Sequence, residues 1–120
     1  MEEERAAFML SKYPNTKTIF ASSTLGSMAM LKVLQEKGLA GKIKFVGFGF
    51  NLNPEVAQAI ESGAMRAWVA QLPKDMGHKA VESAVALLKG QAVPAEVYTG
   101  CLVITKDNLK DPNVQALLNL

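Results

Sequence analysis

The feature that most constrains the fold is a repeated order of short apolar runs and longer amphipathic segments. Residues 17–22, 42–48 and 65–71 are rich in β-branched and aromatic side chains, which is typical of buried strands. Each run is followed by a segment with helical periodicity. Strand–helix–strand units favour parallel pairing. We therefore predict an α/β fold with a mostly parallel sheet and helices on both faces.

Capping residues set the expected ends of the helices. Ser23 or Thr24 can cap the second helix, Pro54 opens the third, and Gly63 stops it. After the helix that follows the third strand, the alternation of strands and helices stops. Two consecutive short strands are expected there, at 96–100 and 101–106. The remaining predicted helices are 2–12, 74–89 and 111–118.

Length and composition limit the classes of protein. A chain of 120 residues suits one domain, and 49% hydrophobic with 20% charged residues is typical of a soluble globular protein. A net charge of +2 with no basic run gives no sign of nucleic-acid binding. No apolar segment has the ~18 residues of a membrane span. The acidic start, MEEERAAFML, differs from a signal peptide.

The sequence offers no metal or redox motif. Cys101 is the only cysteine and is expected to be a small buried hydrophobe. His78 is the only histidine and is expected to pack or to face solvent. We therefore predict no metal and no cofactor.

Polar or glycine-rich loops follow the three predicted strands, at 22–24, 49–53 and 71–73. In parallel sheets, ligands bind at the carboxyl ends of strands. These loops offer hydroxyls, amides and backbone N–H groups, with no charge before Lys74 and Asp75. Such groups suit a neutral polar ligand, whereas catalysis needs a tuned titratable group. The chain is therefore predicted not to be an enzyme.

Three side chains at these ends leave alternatives open. Trp68 and Phe50 could stack on a sugar ring or belong to the core, and the core is favoured for Trp68. The amide of Gln71 either satisfies loop backbone or faces a cleft. The glycines of GFGFN match a phosphate-binding loop only loosely, because the third glycine is replaced by Leu52.

The ordered set AIESG, VAQLPKDMG, LLKG, VP and VITKDN resembles the C-terminal portion of type I periplasmic sugar-binding proteins. These proteins, of the ribose-binding kind, are the substrate-binding components of ABC transporters. Their fold is shared with the effector domains of lac-repressor-type regulators. The resemblance covers nearly the whole chain.

The resemblance implies where the ligand binds. The family's glutamine before proline contacts the sugar at a hinge, and Gln71 has that position. Ser23 and Thr24 stand where the family usually has Asn-Asp, and Gly49 stands where it usually has a sugar-binding aspartate. The loss of both carboxylates implies a less polar or differently shaped ligand. The candidate ligand-binding residues are Ser22, Ser23, Gly49, Phe50, Asn51 and Gln71.

The resemblance also implies a truncated chain, one C-terminal lobe of a two-lobed protein. Residues 74–99 are then elements of the missing lobe. The apolar face of the helix at 74–89 would lack its usual partner. We expect this helix to repack on its own sheet or to pair with a second copy in a homodimer.

The function implied is that of a solute-binding component of an ABC transporter. Its expected partners are a sugar-like ligand in an interlobe cleft and the transporter permease, and its expected location is the periplasm. The alternative is the effector-binding domain of a lac-repressor-type regulator. An enzyme on a doubly wound sheet is the third reading, and the absence of a tuned acid or base opposes it.

Overall fold

A computed structural model describes residues 1–50 and 52–119 of the chain. The described residues form α-helices, β-strands and a final 3-10 turn in alternating order. The elements are α1 (Glu2–Lys12), β1 (Thr18–Phe20), α2 (Thr24–Glu36), β2 (Lys44–Gly49), α3 (Pro54–Ser62), β3 (Ala67–Gln71), α4 (Pro73–Leu88), β4 (Cys101–Ile104), α5 (Pro112–Gln115) and the 3-10 helix Ala116–Asn119.

The strands form one sheet in the order β1-β2-β3-β4. β1 pairs with β2 and β2 with β3 in parallel, whereas β4 lies antiparallel to β3. The predicted α/β class with a mostly parallel sheet flanked by helices is confirmed. Helices were predicted on both faces, whereas the core helices α1, α2 and α3 of the described residues pack in one cluster on one face. No helix among the described residues is both long and apolar enough to cross a membrane.

The predicted caps define the helix ends. The Ser23 side chain accepts a hydrogen bond from the Gly26 N–H at 3.1 Å, at the start of α2. α3 begins at Pro54, and Gly63 ends it with a left-handed φ of 81°. The predicted roles of Ser23, Pro54 and Gly63 are confirmed.

α1 packs on α2 through its buried residues Ala6 and Leu10. An exposed ion pair joins the same helices, with Lys32 Nζ 2.9 Å from Glu3 Oε1. The hydrogen bond to the Glu3 carboxylate raises the pKa of Lys32 above that of an ordinary lysine. The ion pair is therefore fully formed below the ordinary lysine pKa and is lost as pH rises through the raised pKa.

One face of the sheet carries the core. Phe45, Trp68, Ala70 and Ile104 point to this face and are at most 1% exposed. They pack in one cluster with helix residues, which include Leu31, Leu34, Val56 and Ile60. The core reading of Trp68 is confirmed.

Trp68 lies across two glycines of the neighbouring strand. It pairs in register with Gly47, and a Cβ on Gly47 would lie 2.6 Å from its Cε3 and 2.7 Å from its Cζ3. A Cβ on Gly49 would lie 2.7 Å from Cζ2 of the same indole. Contacts this short do not occur between real side chains. The glycines of GFGF therefore make room for the indole.

Ser27, on α2, joins the ends of two strands to this helix. Its side chain is fully buried. Its Oγ accepts the Phe48 N–H at 3.1 Å and lies 3.3 Å from the carbonyl oxygens of Ala21 and Phe48. Since Ala21 follows β1 and Phe48 lies in β2, this hydroxyl holds α2 over both strands.

The other face of the sheet is less completely covered. Its strand residues alternate with the buried ones. On β2 and β3 most of them are half-buried, and on the outer strands β1 and β4 they are exposed. Its exposed residues include Phe20 at 59% and Val103 at 49%, and Lys44 on β2 is exposed on the same face. We call this surface the open sheet face; its apolar residues are Phe20, Val46, Phe48, Val69 and Val103.

α4 and the residues after it form an arm, residues 73–100. No residue of α4 is buried. The radius of gyration is 17.5 Å, against about 14 Å for a compact domain of this length. The expectation that this helix repacks on its own sheet is therefore wrong.

The returning part of the arm contains no strand. The predicted strand at 96–100 is wrong, although its residues have strand propensity. This segment lies beside α4, where Lys79 Nζ donates to the Tyr98 carbonyl at 2.7 Å. No sheet edge is available to it there, and a strand needs a paired neighbour.

Two further expectations differ from the structure. Cys101 is exposed and not buried, because it begins the edge strand β4 and belongs to the less covered face. The terminal helix expected at 111–118 is split into α5 and the 3-10 turn after it.

We predict that Gly47→Ala lowers the free energy of unfolding by about 1–3 kcal/mol, because the new methyl group collides with the Trp68 ring. Urea unfolding followed by tryptophan fluorescence measures the change. Gly77→Ala is the control, since nothing lies within 4 Å of a Cβ there and the site is helical. Its stability should be unchanged or slightly raised. Equal midpoints for Gly47→Ala and the unchanged chain would contradict the packing described.

We predict that Ser27→Ala also costs about 1–3 kcal/mol, because it leaves the Phe48 N–H and nearby carbonyls without their partner. Ser62→Ala is the matched control, since the Ser62 hydroxyl only bonds the Ala59 carbonyl of its own helix and is exposed. Amide hydrogen exchange at Phe48 should accelerate in Ser27→Ala alone. Unchanged exchange there would exclude the bridging role.

Candidate functional site

The three predicted binding loops lie along one edge of the sheet. β1, β2 and β3 run parallel, so their carboxyl ends face the same way. α2, α3 and α4 begin directly after these ends. We call this region the carboxyl edge; it comprises the strand-end residues and the loops at 21–23, 50–53 and 72.

The first loop supplies hydroxyl groups. Ser22 is exposed, and its side chain makes no hydrogen bond with the described residues. Ser23 is exposed as well, but its oxygen already accepts the Gly26 N–H as the α2 cap. The Ser23 O–H can still donate. Ser22 is thus the more available of the two hydroxyls.

The second loop is closed to a side chain at position 49. Gly49 is buried, and a Cβ there would collide with Thr24 Oγ1 as well as with Trp68. Thr24 Oγ1 also accepts the Phe50 N–H at 3.3 Å. The Thr24 hydroxyl therefore occupies the space that a side chain at position 49 would need. Asn51 lies outside the described residues.

Two aromatic rings are accessible at the carboxyl edge. Phe50 is 56% exposed and Phe20, at the end of β1, is 59% exposed. Phe20 contacts Phe48 edge to face, with ring centroids 6.4 Å apart. Trp68 is only 1% exposed and so cannot stack on a ligand. The sequence reasoning missed Phe20, although an aromatic residue just before the first loop was a usable signal.

Gln71 is the last residue of β3 and is half-buried. Its amide makes no hydrogen bond with the described residues. Among the described residues, this amide therefore bonds no loop backbone. By strand alternation, Gln71 lies on the same side of the sheet as Val69, at the carboxyl end of the open sheet face.

Charged side chains stand outside these loops. Glu55 lies in the first turn of α3, and Lys74 and Asp75 in the first turn of α4; all three are exposed. His78 is exposed too, with Nε2 3.2 Å from Glu82 Oε1, as expected for a solvent-facing residue. Within residues 1–50 and 52–119, no group of His, Cys, Asp and Glu could hold a metal.

The arrangement can therefore form hydrogen bonds and ring contacts. A free hydroxyl, a free amide and exposed phenyl rings suit a small ligand with both polar groups and an apolar surface. No titratable pair at the carboxyl edge is arranged for proton transfer among the described residues.

Known proteins give an independent view of this arrangement. Residues 2–92 match the family model described as periplasmic binding protein domain. The ribose import binding protein RbsB of Escherichia coli (strain K12) is 32% identical over 98 residues, which are 82% of this chain and 32% of that protein. The D-allose-binding periplasmic protein of the same strain is 30% identical over 92 residues, 76% of this chain and 29% of that protein.

Solved structures agree with the fold. A solute-binding protein of an ABC transporter from Agrobacterium vitis, bound with alpha-D-tagatopyranose, has a TM-score of 0.84 at 28% identity. A carbohydrate transporter solute-binding protein from Agrobacterium radiobacter, in complex with D-arabinose, has a TM-score of 0.81 at 30% identity. In both, the match covers 98% of this chain and 39% of the other.

The match is broad in this chain and partial in the relatives. The chain spans about a third of the length of the curated relatives it matches, 32% and 29%. The family model, by contrast, covers most of the chain, from residue 2 to residue 92. The chain belongs to the periplasmic binding protein domain family.

Proposed function

We propose that the chain is part of the solute-binding component of an ABC transporter and contacts a sugar or sugar-like ligand at its carboxyl edge. The observation that supports this most directly is the Gln71 amide at the end of a central strand, which bonds no other described residue. The relatives' names support the ligand class, since they are ribose and D-allose binding proteins and structures bound with D-tagatose and D-arabinose.

Each candidate residue has a different proposed part. The Gln71 amide both donates to and accepts from sugar hydroxyls. The Ser22 and Ser23 hydroxyls donate, and the Phe50 ring packs on the apolar C–H face of the sugar. Gly49 contributes only through its backbone, since no side chain fits there. Asn51 is proposed as a ligand contact from the sequence alone.

The carboxyl edge forms one wall of the proposed cleft. Small ligands are usually enclosed on most of their surface, and an exposed edge encloses little. We propose that a second lobe supplies the other wall and that residues 74–99 belong to that lobe. The absence of buried side chains in α4 supports this division, because a helix of the same lobe would bury one face.

The remaining assignments follow from the family. Its members are periplasmic binding proteins, and we propose a periplasmic location and a transporter permease as the partner of the longer protein. A homodimer of the chain is likewise a proposal. The relatives' names favour transport over a lac-repressor-type regulator, and a family of binding proteins supports the prediction that the chain is not an enzyme.

We predict that D-ribose, D-allose, D-arabinose or D-tagatose at about 10–50 mM perturbs the backbone amide signals of residues 22, 50 and 71 in a nitrogen-15 NMR titration. Gln71→Ala should weaken this binding about tenfold, the loss of roughly one hydrogen bond to a polar ligand. Gln35→Ala, an exposed glutamine near the end of α2, is the control and should bind as before. Equal binding by both variants would remove Gln71 from the site.

We also predict that the 120-residue chain alone binds such sugars with a Kd in the millimolar range, because one wall excludes little water and makes half of the contacts. Isothermal titration calorimetry with the same four sugars measures this. Micromolar binding by the isolated chain would contradict the need for a second lobe and leave the sugar-binding assignment intact.

A further inference from the structure

α2 supplies hydroxyl groups to β2 at the point where β1 ends. β1 stops pairing with β2 at Phe20, and the chain then turns into α2. Beyond this point, the Phe48 N–H of β2 donates to Ser27 Oγ at 3.1 Å. The Phe50 N–H, two residues further along, donates to Thr24 Oγ1 at 3.3 Å. Thr24 and Ser27 are three residues apart and therefore lie on one face of α2, where their hydroxyls replace the strand partner that β2 loses.

Thr24 is the member of this pair that lies at the carboxyl edge. It directly follows the first loop, whose Ser22 and Ser23 are exposed, and it is half-buried itself. Its partner Phe50 begins the second loop and is 56% exposed. The hydrogen bond between Thr24 and Phe50 therefore ties the first loop to the second, across 26 positions of the chain.

The Thr24 hydroxyl also limits what the end of β2 can present. A Cβ on Gly49, the last residue of β2, would collide with Thr24 Oγ1 as well as with Trp68. Position 49 therefore offers only backbone atoms, and Phe50 carries the first side chain beyond the strand. Because Thr24 bonds the Phe50 N–H, it holds the backbone that carries this ring.

Holding two loops at a fixed separation favours a ligand that contacts both. A flexible loop loses conformational freedom when a ligand binds, and this loss reduces the affinity. In the proposed site, the Ser22 hydroxyl donates to the sugar and the Phe50 ring packs on its C–H face. These two contacts come from different loops, so both form well only when the loops are correctly spaced.

We propose that Thr24 is a positioning residue of the sugar site, whose hydroxyl fixes the Phe50 ring relative to the Ser22 hydroxyl. The inference rests on the proposed sugar binding. Ser27 has a different role, because it is fully buried and holds the strand ends. Loss of the Thr24 hydroxyl instead acts on the second loop, at the surface where the ligand is proposed to bind.

The test is a nitrogen-15 NMR titration of matched variants with D-ribose, D-allose, D-arabinose and D-tagatose. Thr24→Val removes the hydroxyl and keeps the shape, and Thr24→Ser keeps the hydroxyl. Thr16→Val is the control, because Thr16 is also half-buried and its hydroxyl donates to the Tyr13 carbonyl in the turn before β1. Circular dichroism checks that each variant folds, and Thr24→Ala repeats the loss with a smaller side chain.

The Kd should rise about three- to tenfold in Thr24→Val, which corresponds to the loss of roughly one hydrogen bond. It should stay within about twofold of the unchanged chain in Thr24→Ser and in Thr16→Val. At saturation, Thr24→Val should show a smaller sugar-induced shift at the Phe50 amide and an unchanged shift at Gln71. A general loss of stability would not give this pattern.

Equal Kd values for Thr24→Val and the unchanged chain would overturn the proposal and leave sugar binding intact. Weak binding by Thr24→Ser would overturn it too, since the methyl group of Thr24 and not its hydroxyl would then matter. If no sugar shifts the signals of residues 22, 50 and 71 in the unchanged chain, the proposed function itself fails, and the role of Thr24 fails with it.

Discussion

The packing of Trp68 on two glycines is the constraint on which the rest of the structure depends. The indole is the largest fully buried side chain and lies over β2, where Gly47 and Gly49 leave space for it. Any side chain at either glycine would lift the indole off the sheet, and with it the helices packed on that face. The serine at 27, which bonds the strand ends beneath α2, fits only when this layer is close to the sheet.

The same packing determines the chemistry at the carboxyl edge. With the indole beside Gly49 and the Thr24 hydroxyl over it, no carboxylate fits at the end of β2. The polar groups there include hydroxyls, backbone N–H groups and the amide of Gln71. Hydrogen bonds from neutral groups of this kind to a polar ligand are weaker than those made by paired carboxylates. Exposed rings such as Phe50 border this edge.

The sequence was most informative where local rules decide the outcome. The alternation of strands and helices, the cap at Ser23 and the stop at Gly63 depend on neighbouring residues, and all were predicted. It was least informative where residues distant in sequence determine whether a segment forms a strand or a side chain is buried. The segment 96–100 has strand propensity but no sheet edge to pair with, and Cys101 is exposed because it lies on the edge strand β4 and on the less covered face of the sheet. At the site, the loops were predicted, whereas the collision between Thr24 and a side chain at position 49 needed three-dimensional positions.

The pairing of β3 with β4 has a mechanical consequence for the arm. Gln71 and Cys101 are register partners, so the arm leaves the sheet and returns to it at one point. The arm has a possible hinge at each end, near Leu72 and at Gly100, whose φ is 75°. Torsion changes at these two hinges can rotate the arm as one unit. The Gln71 amide lies where the arm joins the sheet. The sheet therefore holds the Gln71 amide at the point from which the arm extends.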